Sequence, residues 1–386
     1  MRESDGMGAV YLDHAATTPM HPAVIDEMTR IMTTIYGNPS SIHQFGRQAE
    51  FELVLARDTV AEAINAKSDE IIFNSGGTEA DNTVLIQTAL NRQQNGKHII
   101  TTSIEHSAVA KSMAYLEEHG FQVTYLPVDS TGKISMEQVA SALRDDTILV
   151  SIMYGNNEIG TINPIKEIGE LLSTHQALFH TDAVQAFGTQ LIDVKDLQVD
   201  YLSVSGHKIN GPKGTGFLYI KEGAFVPVML YGGDQEEKKR AGTENVLGIV
   251  GMAKAVTLIT DEAREQKNKQ YREFKQIIMN NLLDNSIDFE INGDLENSLP
   301  HILNIWLKGI PNNLILSNLD LKGFAISTGS ACTAGNVKPS RIIQQIRPQE
   351  PAAAGESIRI SFGYGNTAEE VATFSQELAE IISKLH

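Results

Sequence analysis

A lysine delivered by an apolar run into a cluster of small residues is the first feature with chemistry in it. The run YLSV at 201–204 leads into Ser205-Gly206-His207-Lys208. An amine fixed at a strand end is the group that binds an aldehyde cofactor covalently, and Ser205 and His207 lie within local reach of a phosphate. Taken alone, a solvated lysine is the commoner case. A second cluster, His180-Thr181-Asp182-Ala183-Val184-Gln185, follows the apolar residues 177–179. A carboxylate there can face a protonated pyridine nitrogen, and Gln185, one helical turn on, can reach a ring oxygen; Asp182 reads equally well as a helix cap. A third, Asn74-Ser75-Gly76-Gly77-Thr78-Glu79, lies between an apolar strand and a helix starting near Glu79. Glycines admit an anion to the backbone, Thr78 adds a hydroxyl, and a helix start supplies free N–H groups. It fits neither the dinucleotide nor the Walker pattern, and alone it is equally an ordinary turn.

Three further residues fall at the ends of strand-like segments. His106 follows HIITTSIE, where an imidazole can cover a ring face or move a proton. Asn157 follows TILVSIMYGN with an amide suited to a ring oxygen or a carboxylate. Arg359, in GESIRISFG, is a bidentate carboxylate clamp if it faces inward. The chain has a single cysteine, Cys332, in GSACTAG. A lone cysteine is usually a small buried hydrophobe, but small, loop-like neighbours give it little to be buried against. The histidines show no compact metal-ligand spacing, so no metal is expected, and one cysteine cannot build a four-cysteine cluster site.

The elements that position these groups follow from periodicity. From about residue 47 to 220, helical three- and four-residue spacing alternates with strand-length apolar runs. That alternation predicts an α/β fold with a mostly parallel sheet covered by helices on both faces, whose ligands sit beyond the carboxyl ends of the strands. After about residue 243 the pattern changes. Long helical segments are followed by strands at HILNIWL and SIRISF and by an amphipathic tail helix, with Thr367 and Glu370 spaced as a capping box. The expected division is a large domain over 11–254, whose first residues join the smaller one, and a small α+β domain over 255–386 carrying the cysteine loop.

Bulk properties narrow the classes. A chain of 386 residues with 41% apolar composition supports a substantial core. A net charge of −17 argues against extensive direct nucleic-acid binding. No run is long and apolar enough for a bilayer, the N-terminus lacks a secretory h-region, and either Met1 or Met7 serves as the start. A single cysteine excludes an internal disulfide and fits a cytoplasmic enzyme.

Ordered motifs then identify a family. YLDHAATTP at 11–19, YGNPSSIHQFG at 36–46, SGGTEADN at 75–82, EHSAV at 105–109, NNEIGTINPI at 156–165, HTDAVQAFG at 180–188, SGHKINGPKGTGFLYI at 205–220, RAGTEN at 240–245 and STGSACTAG at 327–335 run nearly the whole length. The chain resembles the NifS/IscS-like cysteine desulfurases of the class V aminotransferase superfamily, fold-type I pyridoxal-phosphate enzymes. It lacks the RxGxHC pattern of the SufS/selenocysteine-lyase-like branch.

The resemblance implies that Lys208 carries pyridoxal phosphate and later moves the substrate Cα proton. Asp182 pairs with the pyridinium nitrogen, Gln185 with the ring hydroxyl oxygen, and His106 stacks on the ring. Gly77, Thr78, Ser205 and His207 hold the phosphate, and Thr243 reaches the phosphate of a neighbouring subunit, implying a homodimer. Asn157 and Arg359 hold the carboxylate of L-cysteine, with Asn38 nearby. Cys332 accepts the sulfur and passes it to a protein acceptor, an iron–sulfur scaffold or a transfer-RNA sulfurtransferase. Two alternatives stand beside this reading: another aminotransferase or lyase, from which Cys332 discriminates, and a sulfur-relay adaptor, against which Lys208, Asp182, His106 and Cys332 together argue.

Overall fold

The structure is a computed structural model and describes residues 8–329 and 339–385. A seven-stranded sheet runs in spatial order Ile71–Asn74, Gly216–Ile220, Tyr201–Ser205, Leu178–Asp182, Thr147–Ser151, His98–Thr102, Gln122–Leu126. The last five are parallel neighbours, and Gly216–Ile220 runs antiparallel to both of its partners. The inner strands are buried along nearly their whole length, which explains why they read as continuous apolar runs rather than alternating ones. Helices such as Gly77–Arg92 and Ser107–Glu118 fill the connections.

The smaller unit is an antiparallel sheet, Ser357–Ser361 beside Ile302–Leu307 beside Phe289–Ile291. It is backed by the helices Asp261–Asp284 and Ala368–Leu385, whose Phe274, Ile278, Phe374 and Leu378 share one core with the strand residues Leu303, Ile305, Ile358 and Ile360. The tail helix is capped as its sequence predicts. The Glu370 N–H donates to the Thr367 hydroxyl and the Thr367 N–H to the Glu370 carboxylate. The chain start belongs with this unit: Val10–Tyr11 pairs in parallel with Phe324–Ala325, and Val10 and Leu12 enter the same core.

Two local expectations change. The helix after the glycine turn begins at Gly77 rather than near Glu79, because Gly76 at φ 138° supplies the break at its N-cap. Asp182 is followed not by a helix but by a tight turn, in which the Val184 N–H donates to the Asp182 carboxylate and the Ala186 N–H to the Ala183 carbonyl. Among the described residues, no helix is long and apolar enough to cross a membrane.

Candidate active site

The strand ends and the smaller unit enclose one large cavity of about 860 Å³. Its lining includes Gly77, Thr78, His106, Asn157, Asp182, Gln185, Ser205, His207, Lys208 and Arg359, so ten residues singled out from separate stretches of sequence meet in one place. Asn38 and Thr243 do not line it: both are exposed on their own chain. Cys332 lies outside the described residues.

Lys208 sits one turn beyond the strand Tyr201–Ser205, with its Nζ donating to the Ala15 and Ala16 carbonyls at 2.5 and 2.7 Å. Burial, then the nearby Arg359 cation, bring its amine down to about 8, against the opposing pull of Asp13 and Asp182. A minor neutral fraction, far above that of an ordinary lysine, is therefore present near neutrality, the form that acts as a nucleophile or base. Asp182 is almost fully buried, which raises its carboxyl, while His106, the Val184 N–H and Lys208 favour the anion. Gln185 is fixed from two sides: its Nε2 donates to the Ala15 carbonyl at 2.9 Å and its Oε1 faces His301 Nε2 at 3.3 Å.

The glycine turn is built for close approach. A Cβ on Gly77 would fall 2.6 Å from the Val184 side chain, and one on Gly76 would fall 3.2 Å from the Ser205 hydroxyl. The helix N-terminus there has no side-chain cap, leaving its first N–H groups for an anion. Glu79 is turned away from that role by Arg240, whose Nε donates to it at 2.9 Å. His207, 3.0 Å from the Thr17 hydroxyl, is lowered to about 4 by burial and by neighbouring lysines, so it is a neutral ring. His106 Nδ1 accepts from the Ala108 N–H at 3.1 Å, which leaves the other ring nitrogen as its N–H.

On the opposite wall Arg359 is 3% exposed. It donates to the Asn157 carbonyl at 2.9 Å and to the Asp13 carboxylate at 2.7 Å, while its Nε and the Asn157 Oδ1 are buried with no partner in the protein. Unpartnered buried polar atoms aimed at a cavity are what a polar ligand would satisfy. With the anion turn, the Lys208 amine and the buried Asp182 carboxyl, they fit pyridoxal phosphate and a small amino acid.

Asp13, Asp81 and Glu105 are site features that the sequence reading assigned no role, although YLDHAATTP, SGGTEADN and EHSAV contain them. One polar atom each of Asp81, His106 and Asp182 lies within 4.8 Å of the others.

Comparison with known proteins supplies a family. The aminotransferase class-V family matches residues 10–374. The IscS 1 protein of Bacillus subtilis (strain 168) is 53% identical over 98% of this chain and 100% of its own. The cysteine desulfurase IscS of Methanosarcina thermophila is 46% identical over 98% of this chain and 93% of its own. Among solved structures, a NifS-like protein superposes with a TM-score of 0.91 at 35% identity, covering 98% of this chain and 100% of that one.

Proposed function

The chain belongs to the class-V aminotransferase family, among its IscS/NifS-type cysteine desulfurases, and from that premise we propose how its own residues divide the work. The activity is the pyridoxal-phosphate-dependent removal of sulfur from L-cysteine, giving L-alanine and a persulfide. The observation that carries the assignment of roles is the Lys208 amine, lowered to about 8, in one cavity with Asp182, the glycine turn and Arg359.

Gly77, Thr78, Ser205 and His207 would hold the cofactor phosphate, Lys208 would anchor the cofactor, Asp182 would face its ring nitrogen and Gln185 a ring oxygen, and Asn157 would meet a ring oxygen or the substrate carboxylate. When bound, the cofactor supplies a sink for negative charge at the substrate Cα. Arg359, oriented by Asp13, binds the substrate carboxylate through the edge that has no protein partner. Lys208 takes and returns the Cα proton, and His106, with its N–H toward the cavity, covers the ring and assists proton movement. The Cys332 thiolate attacks the substrate sulfur. The Cβ–S bond breaks, the sulfur stays on Cys332 as a persulfide, and a proton completes alanine.

Thr243 serves the phosphate of a second copy. Its exposure away from its own cavity supports this, as do the exposed apolar side chains of Met32, Tyr36, Ile42 and Phe51, which a homodimer would cover. Asn38 lies close to these residues in sequence and belongs to the same shared region. The expected boundary at residue 254 falls inside the helix Val246–Thr257, whose Val250, Met252 and Val256 pack in the core of the larger unit, so we place it after that helix and before Asp261–Asp284. The sulfur leaves to a protein acceptor, a scaffold for iron–sulfur clusters or a transfer-RNA sulfurtransferase. With no second cysteine to resolve the persulfide, release requires another molecule, and the lone thiol suits the reducing cytoplasm.

The test is Cys332→Ser in the holoenzyme. Cofactor absorption and fold are expected unchanged, while alanine release falls to near background, because a hydroxyl is a far poorer nucleophile than a thiolate. Mass spectrometry of the wild type after a brief cysteine pulse should place one reducible extra sulfur on the Cys332 peptide. Alanine formation at the wild-type rate by the serine variant would remove Cys332 from the reaction.

A further inference from the structure

Behind Asp182 the cavity wall holds a second carboxyl that the reaction does not use. Asp81, on the helix Gly77–Arg92, is 1% exposed, and its Oδ1 has no hydrogen-bond partner. One of its oxygens lies within 4.8 Å of an Asp182 oxygen. Two buried carboxylates at that separation do not both ionise, so the pair holds a proton, and the question is where.

The groups around each carboxyl answer it. Asp182 receives the Val184 N–H at 2.9 Å, and His106 and Lys208 both favour its charge. Asp81 has the Ser203 hydroxyl and, within 4.8 Å, the same His106 ring, but neither the backbone N–H nor the Lys208 amine that Asp182 has. Its other close neighbour, His180 at 3.5 Å, is no cation: it is fully buried, held down to about 3, and its two ring nitrogens are each 2.9 Å from a serine hydroxyl, Ser151 and Ser203. The remaining titratable neighbour, Glu105, is 1% exposed and pushed up to about 8 by burial; it adds no positive charge to favour an ionised Asp81.

We propose that Asp81 is a positioning residue that carries the proton of this pair as a neutral acid, so that Asp182 alone is the anion presented to the cofactor nitrogen. The proposal rests on the role given to Asp182 above. Burial and the Asp182 charge raise the Asp81 carboxyl well above its ordinary range, in line with the geometry. A helix residue would thus set the charge of a strand-end residue without touching cofactor or substrate.

The experiment compares Asp81→Asn with Asp182→Asn in the full chain. Infrared spectra of cofactor-free protein at neutral pH should show a protonated-carboxyl C=O band that Asp81→Asn removes and Asp182→Asn retains; a Glu105→Gln background takes away the nearest other buried acid. [13C]Aspartate labelling of the wild type should shift the same band, a measurement that needs no variant to fold. Pyridoxal phosphate should bind to Asp81→Asn within about threefold of wild type, and to Asp182→Asn roughly 10–100-fold more weakly, the loss of a charge-assisted contact. A band that survives Asp81→Asn and disappears in Asp182→Asn, or no label shift at all, overturns the proposal. Asp182→Asn binding the cofactor like wild type while Asp81→Asn still removes the band would instead refute the cofactor-facing role of Asp182 and leave the proton on Asp81.

Discussion

Lys208 and Lys275 are both held below the ordinary lysine range chiefly by burial, Lys208 to about 8 and Lys275 to about 7. Lys208 stands at a strand end on the wall of an 860 Å³ cavity, with Asp13 and Asp182 near enough to favour its charge. Lys275 sits inside the helix Asp261–Asp284, 4% exposed, donating to the Ser298 hydroxyl at 3.2 Å and the Leu299 carbonyl at 3.0 Å. It lines no part of the large cavity. Lys275, with a comparably lowered amine, has no such site. A lowered amine therefore marks chemistry only where a cavity, an anion cradle and a carboxylate share its surroundings; elsewhere it is the cost of burying an ammonium group.

The largest effect expected from this contrast is at Lys208. Lys208→Ala should abolish the visible absorption of the holoenzyme and lower alanine formation by at least about 10²–10⁴-fold, the scale of a positioned proton-transfer group. Borohydride trapping of wild type followed by peptide mapping should place the cofactor on the Lys208 peptide. A trapped cofactor on the Lys275 peptide would erase the distinction between the two lysines.

The next effect tests the wall facing Lys208. Arg359→Lys keeps the charge but loses the planar fork that meets a carboxylate with two bonds. KM for L-cysteine should rise about 10–100-fold with a smaller change in kcat, since a charge-assisted hydrogen bond is worth about 1.5–3 kcal/mol. Asp13→Asn should shift KM in the same direction by less, because the guanidinium remains and only its 2.7 Å tether is weakened. Steady-state kinetics on both variants checks the order; an Asp13→Asn effect as large as that of Arg359→Lys would make Asp13 a substrate contact rather than a tether.

The two cavity walls also differ in how legible they were. Lys208, Asp182, Gln185 and the Gly76-Gly77-Thr78 turn sit immediately after apolar runs, so local order alone brought them together. Arg359 was visible as a candidate, but its partner Asp13 lies 346 residues away, and periodicity says nothing about contacts of that range. The pairing of Val10–Tyr11 with Phe324–Ala325, which carries Asp13 toward Arg359, is set by tertiary packing. Asp81 reads in sequence as an ordinary polar residue near a helix start, and only its burial against Asp182 gives it meaning. The antiparallel Gly216–Ile220 was equally hidden, since a fully buried strand has the same apolar pattern in either direction.

The smallest effect is expected at Lys275, and its sign follows from linkage. The native amine titrates near 7 and the unfolded one near 10.5. Below pH 7 both states hold the proton and the native protein bears the full cost of a buried cation. Between 7 and 10.5 the unfolded state binds more protons than the native one, so the Lys275 contribution to stability rises with pH; above 10.5 it is level. Lys275→Met removes this dependence and also deprives Ser298 and the Leu299 carbonyl of a donor, a penalty that does not vary with pH. Thermal unfolding of both proteins from pH 6 to 10 should therefore show Tm of the wild type gaining on that of the variant by several °C as the pH rises from 7 to 10. Desulfuration should stay near the wild-type rate, because no atom of Lys275 faces the cavity. A Tm difference that is flat across this range would mean that Lys275 stays protonated in the native state as a solvated or paired ammonium, and a loss of activity with retained fold would give the second lysine a part in the chemistry after all.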